Sequence, residues 1–337
     1  MTNVQTTRYK LVDGKFIKSL PPLRWCVKDV LPAQGLAVIY GASGSGKSFL
    51  ALDLACAIAE GRRWFGYRVE QRPVVYLCLE GQAGFRLRIA AWEQANARSL
   101  PEQLQFLFDD FNLPNPDDVQ ELAATAPANS VFIIDTLNRA APLIDENSSK
   151  EMGIILNSFK QLQRLTNGLV IPVHHTGKNI KAGMRGHSSL ISAADASIDV
   201  SKTAGVRRWT TAKVKDGSDG LVHSFKLKTY CVATGIYEDQ TSCVIIEDTS
   251  KSEIKAVKVI GGKNQKTAMN VITTLLSHAS ENEGGQRIRI EDAILAVANK
   301  LTCASDRQNT IARDTINGLA QNGSLNWDDG WISNART

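Results

Sequence analysis

Short apolar runs alternate with helix-period segments over the first half of the chain. Leu36–Tyr40 (LAVIY) is an unbroken apolar run ending at a glycine-rich loop, which predicts a strand buried on both faces. Lys47–Gly61 then predicts a helix closed by a glycine. Pro73–Glu80 (PVVYLCLE), Val131–Asp135 (VFIID) and Leu169–His174 (LVIPVH) repeat the strand pattern, with Ala83–Arg98 helical after the first of them. Ser148 with Glu151 three residues later marks a capped helix start. Met152, Ile155, Leu156, Phe159 and Leu162 give that helix one apolar face. Strands alternating with helices predict a mostly parallel sheet covered on both sides.

The pattern changes after Ala193. Ala196–Ser201, Arg208–Val214, His223–Tyr230 and Ser242–Glu247 predict strands, with turns at Asp216-Gly217 and Asp219-Gly220, extending the sheet in antiparallel fashion. Residues 251–266 are lysine-rich, include Gly261-Gly262, and predict a linker. Helical patterns return at Thr267–Ser280, Arg289–Lys300 and Asp306–Asn322, followed by a hairpin turning at Asp328-Asp329-Gly330. Three helices and a hairpin predict a small winged-helix-like domain. The expected division is an N-terminal extension over 1–20, an α/β core over 21–250, the linker, and the C-terminal domain over 267–337. Trp327 and Trp331 are expected in the core of the hairpin.

Composition narrows the class. With 337 residues and 43% hydrophobic side chains, the chain can bury one large core or two ordinary ones. No run of eighteen apolar residues predicts a transmembrane helix, and Met1–Leu20 is too polar for a signal peptide, so a cytosolic protein is expected. Cys26, Cys56, Cys78, Cys231, Cys243 and Cys303 lack the C-x-x-C spacing of a metal site and predict reduced, mostly buried thiols. The net charge of +5 is unevenly spread. Lys178, Lys181 and Arg185 stand in a stretch without acids, and Lys202, Arg207, Arg208, Lys213, Lys215, Lys226 and Lys228 outweigh Asp216 and Asp219. Such clustering suggests a polyanionic partner, with phosphate contacts first expected from Lys178, Lys181 and Arg185. In the C-terminal domain acids outnumber bases, a poor footprint for DNA, although the last helix offers Arg307, Gln308, Asn309 and Arg313.

One motif carries the chemistry. Gly41-Ala42-Ser43-Gly44-Ser45-Gly46-Lys47-Ser48 is a complete G-x-x-x-x-G-K-[ST] loop between a strand and a helix. Its amides and the helix N-terminus cradle phosphates, so these residues and Phe49 form the expected nucleotide site. Lys47 is expected at the β- and γ-phosphates of ATP, and the Ser48 hydroxyl on Mg2+. Asp135 ends a strand whose tip lies on the same sheet edge and is expected to hold the metal as well. Glu80, at another such tip, is expected to activate the attacking water, with Glu146 and Asp145 next in line. His174 and His175 end a further strand, where an imidazole can sense the γ-phosphate and pass its presence to the loop Gly177–Ser189.

The order GASGSGKS, VVYLCLE, VFIIDTLNRA, LVIPVHHTGK, RGHSSL and AKVKDG resembles the RepA-type hexameric helicases of plasmids and phages, within the RecA- and DnaB-like P-loop superfamily, over about residues 20 to 250. The resemblance implies a RecA-like core in a ring of subunits, with ATP at each interface and single-stranded DNA in the channel. It implies Glu80 as catalytic carboxylate, Asp135 as magnesium partner and His175 or His174 as sensor. It also implies a cation supplied by the neighbouring subunit, for which Lys213 and Lys215 are favoured over Arg207 and Arg208. The added C-terminal domain departs from the minimal plasmid helicase and is expected to dock DNA or other replication proteins. The expected activity is an ATP-driven single-stranded DNA translocase or helicase. The alternatives are a RecA-like ATPase switch that binds DNA or loads a partner without unwinding, and a small-molecule kinase. The kinase is disfavoured because no arginine-bearing lid is evident.

Overall fold

The computed structural model describes residues 11–146, 148–175, 185–233, 240–248, 263–279, 286–301, 307–321, 324–328 and 330–334. The chain divides into two compact units, Met1–Trp209 with Lys213–Gly217 and Phe225–Glu247, and Thr210–Ala212 with Ser218–Ser224 and Asp248–Thr337. The first opens with α1 (Gly14–Ser19), β1 (Trp25–Val27) and β2 (Leu31–Pro32). Strands and helices then alternate as β3 (Gly35–Gly41), α2 (Lys47–Glu60), β4 (Val74–Cys78), α3 (Gln82–Asn96), β5 (Leu104–Leu107), α4 (Pro116–Thr125), β6 (Val131–Asp135), α5 (Leu137–Ala140), α6 (Ser149–Thr166), β7 (Leu169–His175) and α7 (Arg185–Ala193). Four strands follow, β8 (Ala196–Thr203), β9 (Val206–Val214), β10 (Val222–Ala233) and β11 (Gln240–Glu247).

One nine-stranded sheet runs β11-β10-β9-β8-β3-β7-β6-β4-β5. Every pairing of β8, β3, β7, β6, β4 and β5 is parallel, as the alternating pattern predicts. β10 and β11 pair antiparallel. β8 and β9 are joined through Ala204 and Gly205, at φ 49° and 79°, and a two-residue turn of that hand links only antiparallel neighbours. This is the RecA-like α/β arrangement, with the strand leading to the glycine loop in the middle. Buried residues of β3, β4, β6 and β7 pack one face against α4, α5 and α6, where Met152, Ile155, Phe159 and Leu162 fill the interface. Fully burying each such side chain stabilises the fold by about 1.5–3 kcal/mol. The buried Arg72 guanidinium donates to the carbonyls of Ala33 and Asn129, tying the entries of β3 and β6 together.

Where structure and pattern differ, packing explains it. Residues 185–189, expected in a loop because of their glycine and polar content, belong to α7. The fully buried Leu190 anchors that helix, and Lys213 Nζ donates to its Ile191 and Ser192 carbonyls at 3.2 and 2.8 Å. β5 and α4 lie in a region without a clear period. Ser148 caps α6 as expected, accepting from the Glu151 amide at 3.3 Å, while Glu151 Oε2 accepts from the Asp145 amide at 2.7 Å. Cys26, Cys56 and Cys78 are buried free thiols, but Cys231 is exposed, and Cys303 lies outside the described residues.

The C-terminal elements are α8 (Lys263–His278), β12 (Arg287–Arg289), α9 (Ile290–Ala298), α10 (Gln308–Gln321), β13 (Leu325–Asp328) and β14 (Trp331–Asn334). The three strands form a sheet ordered β12-β14-β13. Ala268, Ile272, Ile290, Val297, Ile316 and Ile332 are among the residues of a core of its own. α8 begins inside the expected linker, of which residues 251–262 lie outside the described residues. The expected helix at Arg289 starts one residue later, because Arg287–Arg289 instead pairs with β14. The tryptophans are not hairpin core: Trp327 is 36% exposed, and Trp331 lies on the face opposite buried Ile332.

Candidate active site

The glycine loop is shaped by contacts that leave no room for side chains. Gly41 has φ 150°, and a Cβ there would come within 2.1 Å of the Val200 carbonyl on β8. Gly44 and Gly46 take positive φ, 74° and 106°, as inward-facing amides require. Gly46 is also the N-cap of α2, so the helix begins at Lys47 and aims its positive end at the loop. Lys47 Nζ donates to the Gly41 and Ala42 carbonyls, each at 2.9 Å, and lies 3.1 Å from His175 Nδ1. Burial pushes the Lys47 ammonium below its ordinary range, opposed by the charges of Asp135 and Glu80.

Two neighbouring strand tips supply carboxylates. Asp135, at the end of β6, is 2% exposed. Its Oδ1 accepts from Ser48 Oγ at 3.2 Å and its Oδ2 from the Tyr76 hydroxyl at 2.7 Å. Burial raises the Asp135 carboxyl above the usual range, while the bonds from Tyr76 and Ser48 act against that. A magnesium ion holds oxygens at about 2.1 Å and so sets neighbouring ligands about 3 Å apart. The Ser48 hydroxyl and Asp135 carboxylate, 3.2 Å apart, fit such an ion. Glu80 lies just past the end of β4, where Thr136 Oγ1 donates to its Oε2 at 3.1 Å. The residue after the metal-site aspartate thus fixes the second carboxylate.

Strand alternation separates the two histidines. In the parallel register of β3 and β7, His175 stands beside Gly41 and His174 beside Tyr40. His175 therefore shares the face of the glycine loop, and burial with the Lys47 charge lowers its pKa, keeping the ring neutral near pH 7. His174 is buried on the opposite face, its Nε2 3.6 Å from Glu146 Oε2. Glu146, considered as a base, is thus drawn to His174, and burial raises its carboxyl.

The remaining expected residues are placed as follows. Arg207 lies against the chain's own glycine loop, its Cδ 3.3 Å from where a Gly46 Cβ would be, and its Nε is buried without a hydrogen-bond partner. Lys213 is engaged by α7, and Lys215 pairs with Asp195 at 3.4 Å near the surface. Lys178 and Lys181 lie outside the described residues, Arg185 opens α7, and Arg307 and Arg313 are exposed in the C-terminal unit. Sequence reasoning missed Tyr76 and Arg88. Tyr76 reads as one more apolar residue of β4, and only the register to β6 aims its hydroxyl at Asp135. The Arg88 guanidinium lies 4.9 Å from the ring of Phe49, the residue after the loop, and beside Trp92 and Asp53 in a shallow pocket. Among the described residues no cluster of three His, Cys, Asp or Glu could hold a metal ion, and no helix is long and apolar enough to cross a membrane.

A family model described as AAA domain, AAA_25, matches residues 4–180. No curated protein matches by sequence. Among solved structures, the chain is similar to an isolated ATPase domain with a TM-score of 0.43 and 16% identity, over 57% of this chain and 81% of that one. It is similar to the RadB recombinase with a TM-score of 0.40 and 18% identity, over 58% and 87%. A KaiC-like protein from Pyrococcus horikoshii OT3 gives a TM-score of 0.42 and 15% identity, over 66% and 100%.

Proposed function

The chain belongs to the AAA_25 family of AAA domains, P-loop ATPases, and on that premise we propose that it is an ATP-dependent single-stranded DNA translocase or helicase. It works as a ring of copies, a hexamer, in replication of a mobile element such as a plasmid or phage. The observation that carries this is the Glu80 carboxylate fixed by Thr136 beside Asp135, a position suited to activating water. A kinase has no use for such a base.

On binding ATP, Lys47 leaves the Gly41 and Ala42 carbonyls for the β- and γ-phosphates, and the loop amides hold their oxygens. Ser48 and Asp135 hold Mg2+, which when bound offsets the phosphate charge. Glu80 orients and deprotonates the attacking water. His175, released by Lys47, registers the change at the end of β7. The next copy in the ring supplies a cation from Lys213 or Lys215. Lys178, Lys181 and Arg185 follow the DNA backbone in the channel, independent of base sequence. The C-terminal order helix, strand, helix, helix, strand, strand supports a winged-helix domain there, with Arg307 and Arg313 available to DNA.

The test is strand displacement from a duplex with a single-stranded tail. The wild type is expected to release the labelled strand only with hydrolysable ATP, and Lys47→Ala to lose turnover and displacement together. DNA-stimulated hydrolysis without displacement would replace the motor with the loading switch. Turnover of Lys47→Ala within twofold of wild type would overturn the site itself.

A further inference from the structure

The C-terminal sheet carries a cluster on its solvent side that the ATPase reading does not use. In the β12–β14 register Ile288 stands opposite Ile332, and both pack into the C-terminal core. Strand alternation therefore turns Arg287, Arg289 and Trp331 to the other face. There the guanidinium carbons of Arg287 and Arg289 lie 4.7 and 4.5 Å from the Trp331 ring centroid. Asp328 stands across from Trp331 on β13, yet none of the ion pairs among the described residues includes either arginine. The Arg287 Nε is buried with no hydrogen-bond partner.

Two like charges around one ring repel, and a buried charged donor without an acceptor is costly. A bound anion relieves both. The site is also flat: guanidinium planes and an indole ring form stacked surfaces of the size of a nucleobase. An acidic peptide satisfies the charge but has no use for the planes, whereas a nucleic-acid strand supplies phosphate and base side by side. We propose that this sheet face binds single-stranded nucleic acid, with phosphates taken by Arg287 and Arg289 and a base stacked on the arginine–tryptophan cluster. The contact lies apart from Arg307 and Arg313 on α10 and shares with the proposed function only the choice of DNA as probe.

The experiment uses the full-length protein without nucleotide and a fluorescent oligo-dT, with anisotropy followed as a function of salt. The double substitution Arg287→Gln, Arg289→Gln is expected to weaken binding about tenfold and lower the salt slope by about 1–2. Arg287→Lys with Arg289→Lys is expected to keep the slope, since charge remains, while losing part of the affinity with the stacking plane. Basal ATP turnover is expected to stay at the wild-type level in both. Affinity within twofold of wild type with an unchanged slope in the glutamine pair overturns the proposal. So does displacement of the oligonucleotide by polyglutamate as readily as by unlabelled oligo-dT, which would make the face a protein-docking site. If the glutamine pair proves unfolded by circular dichroism, photo-crosslinking of the wild type to bromodeoxyuridine-substituted DNA decides. A crosslink in the peptide holding Trp331 is expected, and crosslinks confined elsewhere in the chain overturn the assignment.

Discussion

At the residue scale, the site depends on which atoms neutralise or hold which others. Glu80→Gln removes the basic oxygen while leaving the phosphate cradle intact. It is expected to bind ATP normally and lose turnover by about two to four orders of magnitude in a single-turnover assay; normal hydrolysis would move the base elsewhere. His175 gives a pH signature. Burial and the Lys47 charge hold its folded-state pKa below the ordinary 6.5. As pH falls below about 6.5 the unfolded chain therefore takes up a proton that the folded chain resists, and stability declines. Melting curves from pH 7.5 to 5.5 are expected to fall less steeply for His175→Gln than for wild type. His223, also lowered by burial, remains in both proteins, so the difference isolates His175. The glycine loop was legible because its chemistry is written in consecutive residues. Tyr76 and Thr136 were not given roles, because theirs are created by the register between β4 and β6, more than fifty positions apart.

At the element scale, the loop is set by how β3 meets β8. Gly41→Ala drives a methyl to within 2.1 Å of the Val200 carbonyl, and neither strand can yield without disturbing the sheet. Urea denaturation is expected to show a loss of about 2–4 kcal/mol. Gly44→Ala, with nothing within 4 Å of the new carbon, is expected to lose only about 1–2 kcal/mol, from its left-handed backbone. Equal losses at the two positions would show that backbone conformation, not the approach of β8, is what requires Gly41. The strong strands were legible because both faces are buried and the apolar run is continuous. α7 was hidden because its residues are polar and small, and its stability comes from one buried leucine and from Lys213 on its last carbonyls. β12 was hidden by its brevity: three residues carry no period of their own until β14 pairs with them.

At the scale of the whole molecule, a ring that shares its sites has a distinctive genetic behaviour. A Lys213→Ala or Lys215→Ala protein that folds, assembles and binds ATP is expected to be nearly inactive alone. Mixed with Glu80→Gln subunits it is expected to regain some turnover, because one kind of interface pairs an intact Glu80 with an intact lysine. No recovery across all mixing ratios, with subunit exchange verified, would contradict the trans cation and return these lysines to the local partners they have here, the α7 carbonyls and Asp195. The two-part organisation was legible because the lysine-rich stretch interrupts the apolar pattern, but the start of α8 within it was not, since four of its first residues are polar. The hydrogen bond between Lys47 and His175 reaches further than the site. His175 is three residues ahead of Lys178, the first cation proposed to hold DNA. If nucleotide draws Lys47 away and so alters DNA affinity, reciprocity requires DNA to alter nucleotide affinity by the same factor. The lysine that grips the phosphates would then also report to each nucleotide whether a strand lies in the channel.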